Sequence, residues 1–349
     1  AVRRKRGESH DFSAIALGAM TPHAPPAATC CIIPRGTPHN TGVSEGLTRP
    51  MVSLNQSAPG TKPDAARAAK LAALLRLLDD ASPVVRGAVT RELRALGDGL
   101  PEALTQLPAP PSPGDWHLLR ELAGDTAREL LPGQWESWRD APDDAARLEA
   151  ALAALTRFLG WPRTRPPLGE RLDALAADFV QSGRGQTPSS LAAWLADERG
   201  WRPVPGDRSE TVHADADRVL DSGEGAPALL AALFHLAAAR LGARVVWCRW
   251  TGHAAMTRFD EAGDERIVDW KTAARALDFP EFLRMQGPSA DAAERVLASA
   301  LSTEEILHLV LVATAQSLSH SQDYEDALAV ISLAQNLKTD TPPADAPRV

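Results

Sequence analysis

Tyrosine occurs once in 349 residues, cysteine three times and methionine four times. Cys30 and Cys31 are adjacent and Cys248 stands alone, so a disulfide framework is excluded, and two neighbouring thiols without partners make no zinc site. Such sparing use of cysteine fits a reducing cytoplasm, which is the expected location. Long apolar runs are missing as well. No stretch approaches the roughly 18 residues a membrane span requires, and no membrane partner is expected. "FSAIALGAM" following "RRKR" imitates a secretion signal, but Glu8, His10 and Asp11 interrupt it. Positive charge is scarce: "RRKR" is the one strongly basic run in a chain of net charge −8. Contact with nucleic acid needs clustered Lys and Arg to neutralise phosphates, so no nucleic-acid partner is expected. Phosphate-cradling loops are absent too, because "GDGL" and "GRGQ" lack both the Lys and the strand–loop–helix setting.

What is present is alanine and leucine in helical rhythm. The length suggests two or three domains with a substantial core, and the composition is that of a mostly helical chain. Residues 1–62 lack that rhythm and are rich in Pro, Thr, Ser, Gly and His. They are expected to be a disordered extension, or translation from upstream of a start near Met51 or Val52. From Pro63 the pattern changes. "PDAARAAKLAALLRLLDD" carries Leu71, Leu74, Leu75 and Leu78 on one face. "ASPVVRGAVTRELRALG" follows, with Ser82 as N-cap, Pro83 in the first turn and Gly97 as stop. Together they resemble one HEAT-type unit, whose apolar face needs cover from further helices. Those are expected in "DWHLLRELAGDTARELL", "DDAARLEAALAALTRFLGW", "LGERLDALAADFVQSG" and "SSLAAWLADERGW", the last with Trp194 and Trp201 as packing anchors.

Beyond a polar stretch at 202–222, "GAPALLAALFHLAAARLG" is apolar on nearly every face, as a buried central helix is. Three β-like runs follow, "ARVVWCRW", "HAAMTRF" and "ERIVDW", joined by short Gly-containing connections that suit antiparallel hairpins. Two helices then close the chain, in "STEEILHLVLVATAQSLSHS" and "DYEDALAVISLAQNL". A hairpin of strands 253–259 and 265–269, centred near Glu261 or Ala262, sets His253 opposite residues 269–271, bringing Asp269 beside the imidazole. A carboxylate there fixes the tautomer and raises the basicity of a histidine. The unit has a base and its orienter but no nucleophile.

The order of these pieces resembles the transglutaminase-like core of the SirB1 family: "VLDSGEGAP", "HLAAARLGARVV", "WTGHAAMTRF" and "RIVDW". The resemblance extends over roughly residues 65–340, taking in "LGERLDALAADF" before the core and a tetratricopeptide-like pair after it. It implies an α+β, mostly helical fold. Residues 63–183 form the helical, HEAT-like N-terminal domain, and 184–285 a papain-like transglutaminase core with a small antiparallel sheet. Residues 286–338 are expected to form the tetratricopeptide-like pair, and 339–349 a disordered tail. Active members of the wider superfamily use a Cys-His-Asp triad with the cysteine opening the central helix, where the helix dipole and the histidine lower the thiol pKa. Here His253 and Asp269 match two triad positions, and Pro227 stands at the third. The resemblance therefore implies a non-catalytic protein that acts by binding another protein, in regulation or assembly. The alternative is a cysteine-type or unconventional hydrolase or amide-transferring enzyme that retains His253 and Asp269. The pair itself reads either as a structural relict or as retained machinery.

Other candidates have plainer readings. Cys248, on a strand five residues from His253, reads as a small buried hydrophobe. His213, Asp215 and Asp217 in "HADAD" have spacing that permits a metal, but capping and solvation explain them, and neither metal nor cofactor is expected. His235 reads as a satisfied core histidine. Ser189 and Ser190 open a helix as caps, with no Gly-x-Ser-x-Gly elbow.

Overall fold

The computed structural model describes residues 61–250, 253–272, 275–285 and 300–339. The expectations for the N-terminal extension, including Cys30 and Cys31, and for the tail from 340 onward lie outside these residues. The described residues all belong to the compact unit Pro59–Val349.

Seven helices come first. They are α1 (Thr61–Leu75), α2 (Pro83–Leu96), α3 (Leu100–Thr105), α4 (Pro113–Glu136), α5 (Asp144–Gly160), α6 (Leu168–Gln181) and α7 (Pro188–Asp197). Local chemistry sets their ends. Gly97 stops α2 with a φ of 52°, a backbone region in which a side chain would clash. Ser82 occupies the N-cap of α2 but its hydroxyl makes no capping bond; its own N–H donates instead to Asp80 Oδ1 at 2.7 Å. Ser112 and Asp115 close a capping box on α4. Thr187, rather than Ser189 or Ser190, caps α7, its hydroxyl accepting from Ser190 N at 3.2 Å. The two serines fall in the first turn because Pro188 takes the first helical position.

The polar stretch after α7 holds a two-residue strand β1 (Arg202–Pro203), helix α8 (Ala216–Ser222) and strand β2 (Glu224–Gly225), which pairs parallel with β1. Gly223 between α8 and β2 has a φ of 78°, and a Cβ there would lie 2.7 Å from the Arg199 carbonyl oxygen. Only glycine fits this turn.

Central helix α9 (Pro227–Arg240) leads into β3 (Val246–Trp250), β4 (His253–Glu261), β5 (Asp264–Asp269) and β6 (Ala276–Asp278). These strands form an antiparallel sheet in sequence order. The fourth strand carries no alternation strong enough to announce it. The sheet is packed on both faces, and the pleat sorts its residues. Trp247, Phe259 and Val268 join the main core, with the Phe234 ring of α9 at 6.2 Å from Phe259 and 5.0 Å from Trp270. Cys248, Met256 and Ile267 face the other way, packing with Phe279 and Phe282 of α10 (Phe279–Met285).

The closing pair is α11 (Thr303–His320) and α12 (Tyr324–Thr339). α5 packs against α4, α6, α9 and α11, so a single apolar cluster runs from Leu71 in α1 to Leu337 in α12. Trp194 and Trp201 are buried in it, as anchors should be. Asp326 of α12 is buried and receives Arg128 Nη1 at 2.8 Å and the guanidinium of Arg120, both from α4. The fold is mostly helical with one small antiparallel sheet, the expected class.

Candidate functional site

The β4–β5 hairpin turns on Ala262 and Gly263, with φ of 56° and 92°. Two positive φ values in a two-residue loop match the right-handed twist of the flanking strands. Glu261 therefore pairs with Asp264, and the register continues to Met256 opposite Asp269. This corrects the expectation that His253 stands opposite 269–271: the turn is centred between Ala262 and Gly263, later than assumed, and Met256 takes the place opposite Asp269. His253 begins β4, paired with Trp250 of β3; its side chain lies outside the described residues.

Asp269 is buried at the end of β5. Its Oδ1 accepts the Lys271 N–H at 2.9 Å and its Oδ2 the Thr272 hydroxyl at 3.1 Å, a turn in which the side chain closes the strand end. By strand alternation Asp269 shares the face of Ile267, whereas α9 covers the opposite face through Phe259 and Trp270. Trp270 is fully buried and donates its indole N–H to Thr257 Oγ1 at 3.0 Å.

Pro227 is the first residue of α9 and half-buried, and Ala226 before it donates its N–H to the His213 carbonyl at 2.8 Å. Gly225 is needed for close packing, since a Cβ would fall 2.9 Å from Val219 methyl groups. The first turn of α9 thus carries no side-chain nucleophile. Cys248 is fully buried between Met256, Ile267 and the phenylalanines of α10. Burial pushes its thiol up to about 11, a shift that nearby Arg258 only partly offsets. At neutral pH it is a protonated thiol, which is not a nucleophile.

The "HADAD" residues separate. His213 Nδ1 accepts the Glu210 N–H at 2.9 Å. Asp215 caps α8 through the Asp217 N–H at 3.1 Å. Neither aspartate is solvated, contrary to expectation. Both are buried, and two distant arginines neutralise them: Arg165 Nη1 reaches Asp215 Oδ2 at 3.2 Å and Asp217 Oδ2 at 3.1 Å. Arg171 Nη1 reaches Asp217 Oδ1 at 2.8 Å and the Asp217 carbonyl at 2.9 Å, and its Nη2 meets Asp221. Desolvation still raises the Asp215 carboxyl above the usual aspartate range, against the pull of Arg165. No group of three or more metal-binding side chains stands together among the described residues.

His235 differs from its expected reading. It lines a cleft of about 520 Å³ between the start of α5, the end of α9 and the start of α11. Its Nδ1 has no hydrogen-bond partner among the described residues, and burial lowers its pKa, leaving it neutral. A second cleft, of about 650 Å³, lies between α3, α5 and the α5–α6 connection. Neither cleft is lined by Pro227 or Asp269. No described helix is long and apolar enough to cross a membrane. Comparison with protein-family models, with curated proteins and with solved structures finds no match for this chain.

Proposed function

We propose that the chain is a transglutaminase-like protein of the SirB1 kind that has lost its nucleophile and acts by binding another protein. One observation carries the reading: Pro227 occupies the first position of central helix α9, where an acyl-transfer enzyme of this kind places its cysteine. Other features support it. The central helix is followed by an antiparallel sheet beginning at β3, the order the resemblance implies. Cys248, the one free thiol among the described residues, is sealed and protonated. Asp269 takes part in a local turn, and its register partner on β4 is Met256. Contact with a protein is favoured by an apolar stripe on α12, where Tyr324, Leu328 and Ile331 are exposed at helical spacing.

The competing enzyme reading separates on one measurement. With Cys30 and Cys31 replaced by serine, Cys248 is expected to resist iodoacetamide at pH 7 in the folded protein and to react only on unfolding. Rapid alkylation that abolishes an amide-hydrolysing or amide-transferring activity would overturn the proposal. His253→Ala is expected to leave partner capture unchanged, whereas Leu328→Glu is expected to abolish it.

A further inference from the structure

The connection between α5 and α6, "WPRTRPP", forms one wall of the 650 Å³ cleft. Four guanidiniums gather around it and around α8: Arg163, Arg165, Arg171 and Arg218. The carboxylates available to them are Asp215, Asp217 and Asp221, and the ion pairs go to Arg165 and Arg171 alone. Arg163 makes no ion pair or guanidinium hydrogen bond among the described residues. It is held in place by the Trp116 ring, 5.2 Å from its guanidinium carbon. Burial, and after it the like charges of Arg218 and Arg165, lower its pKa, so the surroundings leave this cation short of negative charge. Arg157 in the last turn of α5 also lines the cleft, with no ion pair among the described residues. The same wall holds a second unmet donor. Trp161 is buried, and its indole N–H has no acceptor among the described residues, an omission that calls for an explanation in a folded protein. Leu168 and Gly169, which begin the 14-residue helix α6, are in the lining, and Pro167 at the N-cap offers them no side-chain acceptor.

We propose that this cleft binds a small organic oxyanion, a phosphate- or carboxylate-bearing compound, with Arg163 as its principal counter-charge. A guanidinium pre-set by an aromatic ring offers paired donors to either head group without a large ordering cost. The acidic residues of the lining restrict the rest of the ligand. Glu149 is paired with Arg240 and Asp217 with Arg165 and Arg171. Among the described residues the Asp98 and Glu102 carboxylates accept from Gln134 and Gln106, each at 3.4 Å. These two carboxylates favour a hydroxylated remainder, which donates to them, over a second anionic group, which they repel.

Isothermal titration of the full chain with glycerol phosphate and with glycerate tests this, since the probes share a hydroxylated skeleton and differ in the head group. Saturable binding of at least one is expected, and the pair reports which head the cleft takes. Arg163→Gln is expected to weaken it about tenfold or more, the loss of a charge-assisted hydrogen bond. Arg208→Gln, exposed and outside the cleft, is expected to leave it unchanged. Should Arg163→Gln fail to fold, the exposed Arg157→Gln is expected to weaken binding about threefold or more. Absence of saturable heat from either probe at about 10 mM would overturn the proposal, as would equal affinity in a folded Arg163→Gln protein or, where that variant fails, in Arg157→Gln.

Discussion

Asp217 and Asp269 are both buried aspartates, and the molecule holds them in opposite ways. Asp217, in the first turn of α8, is neutralised by two arginines from the α5–α6 connection and α6. Asp269, at the end of β5, is held by an N–H and a hydroxyl two and three residues along the chain. The first arrangement ties three segments together with charge. The second closes a turn with neutral donors from the residues that follow it. A carboxylate in a suggestive place can thus be a local fastener, while one in an unremarkable polar run is the junction of a helical domain.

The contrast has measurable consequences, the largest at Asp217. Asp217→Ala strands Arg165 and Arg171, and breaking a buried pair from one side costs about 3–5 kcal/mol. The low end, about 3 kcal/mol, is expected in urea unfolding, because these guanidiniums keep 19% and 20% exposure and turn to water. Asp269→Ala removes, among its contacts, the acceptors of the Lys271 N–H and the Thr272 hydroxyl, both near solvent, and is expected to cost about 1–2 kcal/mol by the same measurement. A loss at Asp269 equal to that at Asp217 would break the comparison.

Asp215 sharpens it through pH. A carboxyl whose value is raised in the fold binds its proton more tightly there than in the unfolded chain. Its contribution favours folding at low pH and is lost as pH rises through the raised value. Asp215→Asn is therefore expected to reduce the fall in stability as pH rises above the usual aspartate range and to cost under about 1 kcal/mol at neutral pH. A steeper fall in the variant would refute the sign. The smallest effect is at the far end of the hairpin from Asp269. Ala262 holds a positive φ that suits glycine, and Ala262→Gly is expected to raise stability by about 0.5 kcal/mol once the greater freedom of the unfolded chain is subtracted.

Much of the fold is legible from periodicity. The apolar spacing of α5, the all-round apolar character of α9, the stop at Gly97 and the hairpin between Phe259 and Arg266 all follow from local rules. The contacts of Asp217 do not, because Arg165 and Arg171 lie 52 and 46 residues away, and long-range pairing leaves no mark on a window of neighbouring residues. The cap at Thr187 was hidden by two equally plausible serines, decided by where Pro188 sits. The register of β4 and β5 hinged on one residue: placing the turn at Ala262–Gly263 rather than a step earlier moves Met256 opposite Asp269, and the pleat makes such steps decisive. The shortfall of anionic partners around Arg163 becomes visible only once the arginines that compete for Asp215 and Asp217 are in place.

The clamp of Arg120 and Arg128 on Asp326 bears on how the chain comes off the ribosome. Arg120 is made 206 residues before its partner, which at synthesis rates of about 5–20 residues per second is a delay of roughly 10–40 s. During that interval Arg128 has Asp125 of its own helix and Arg120 the Phe158 carbonyl of α5, but the buried carboxylate that joins the two is missing. The N-terminal helices can therefore pack on one another first, and the clamp on Asp326 is the contact of α4 that must wait for the closing helix.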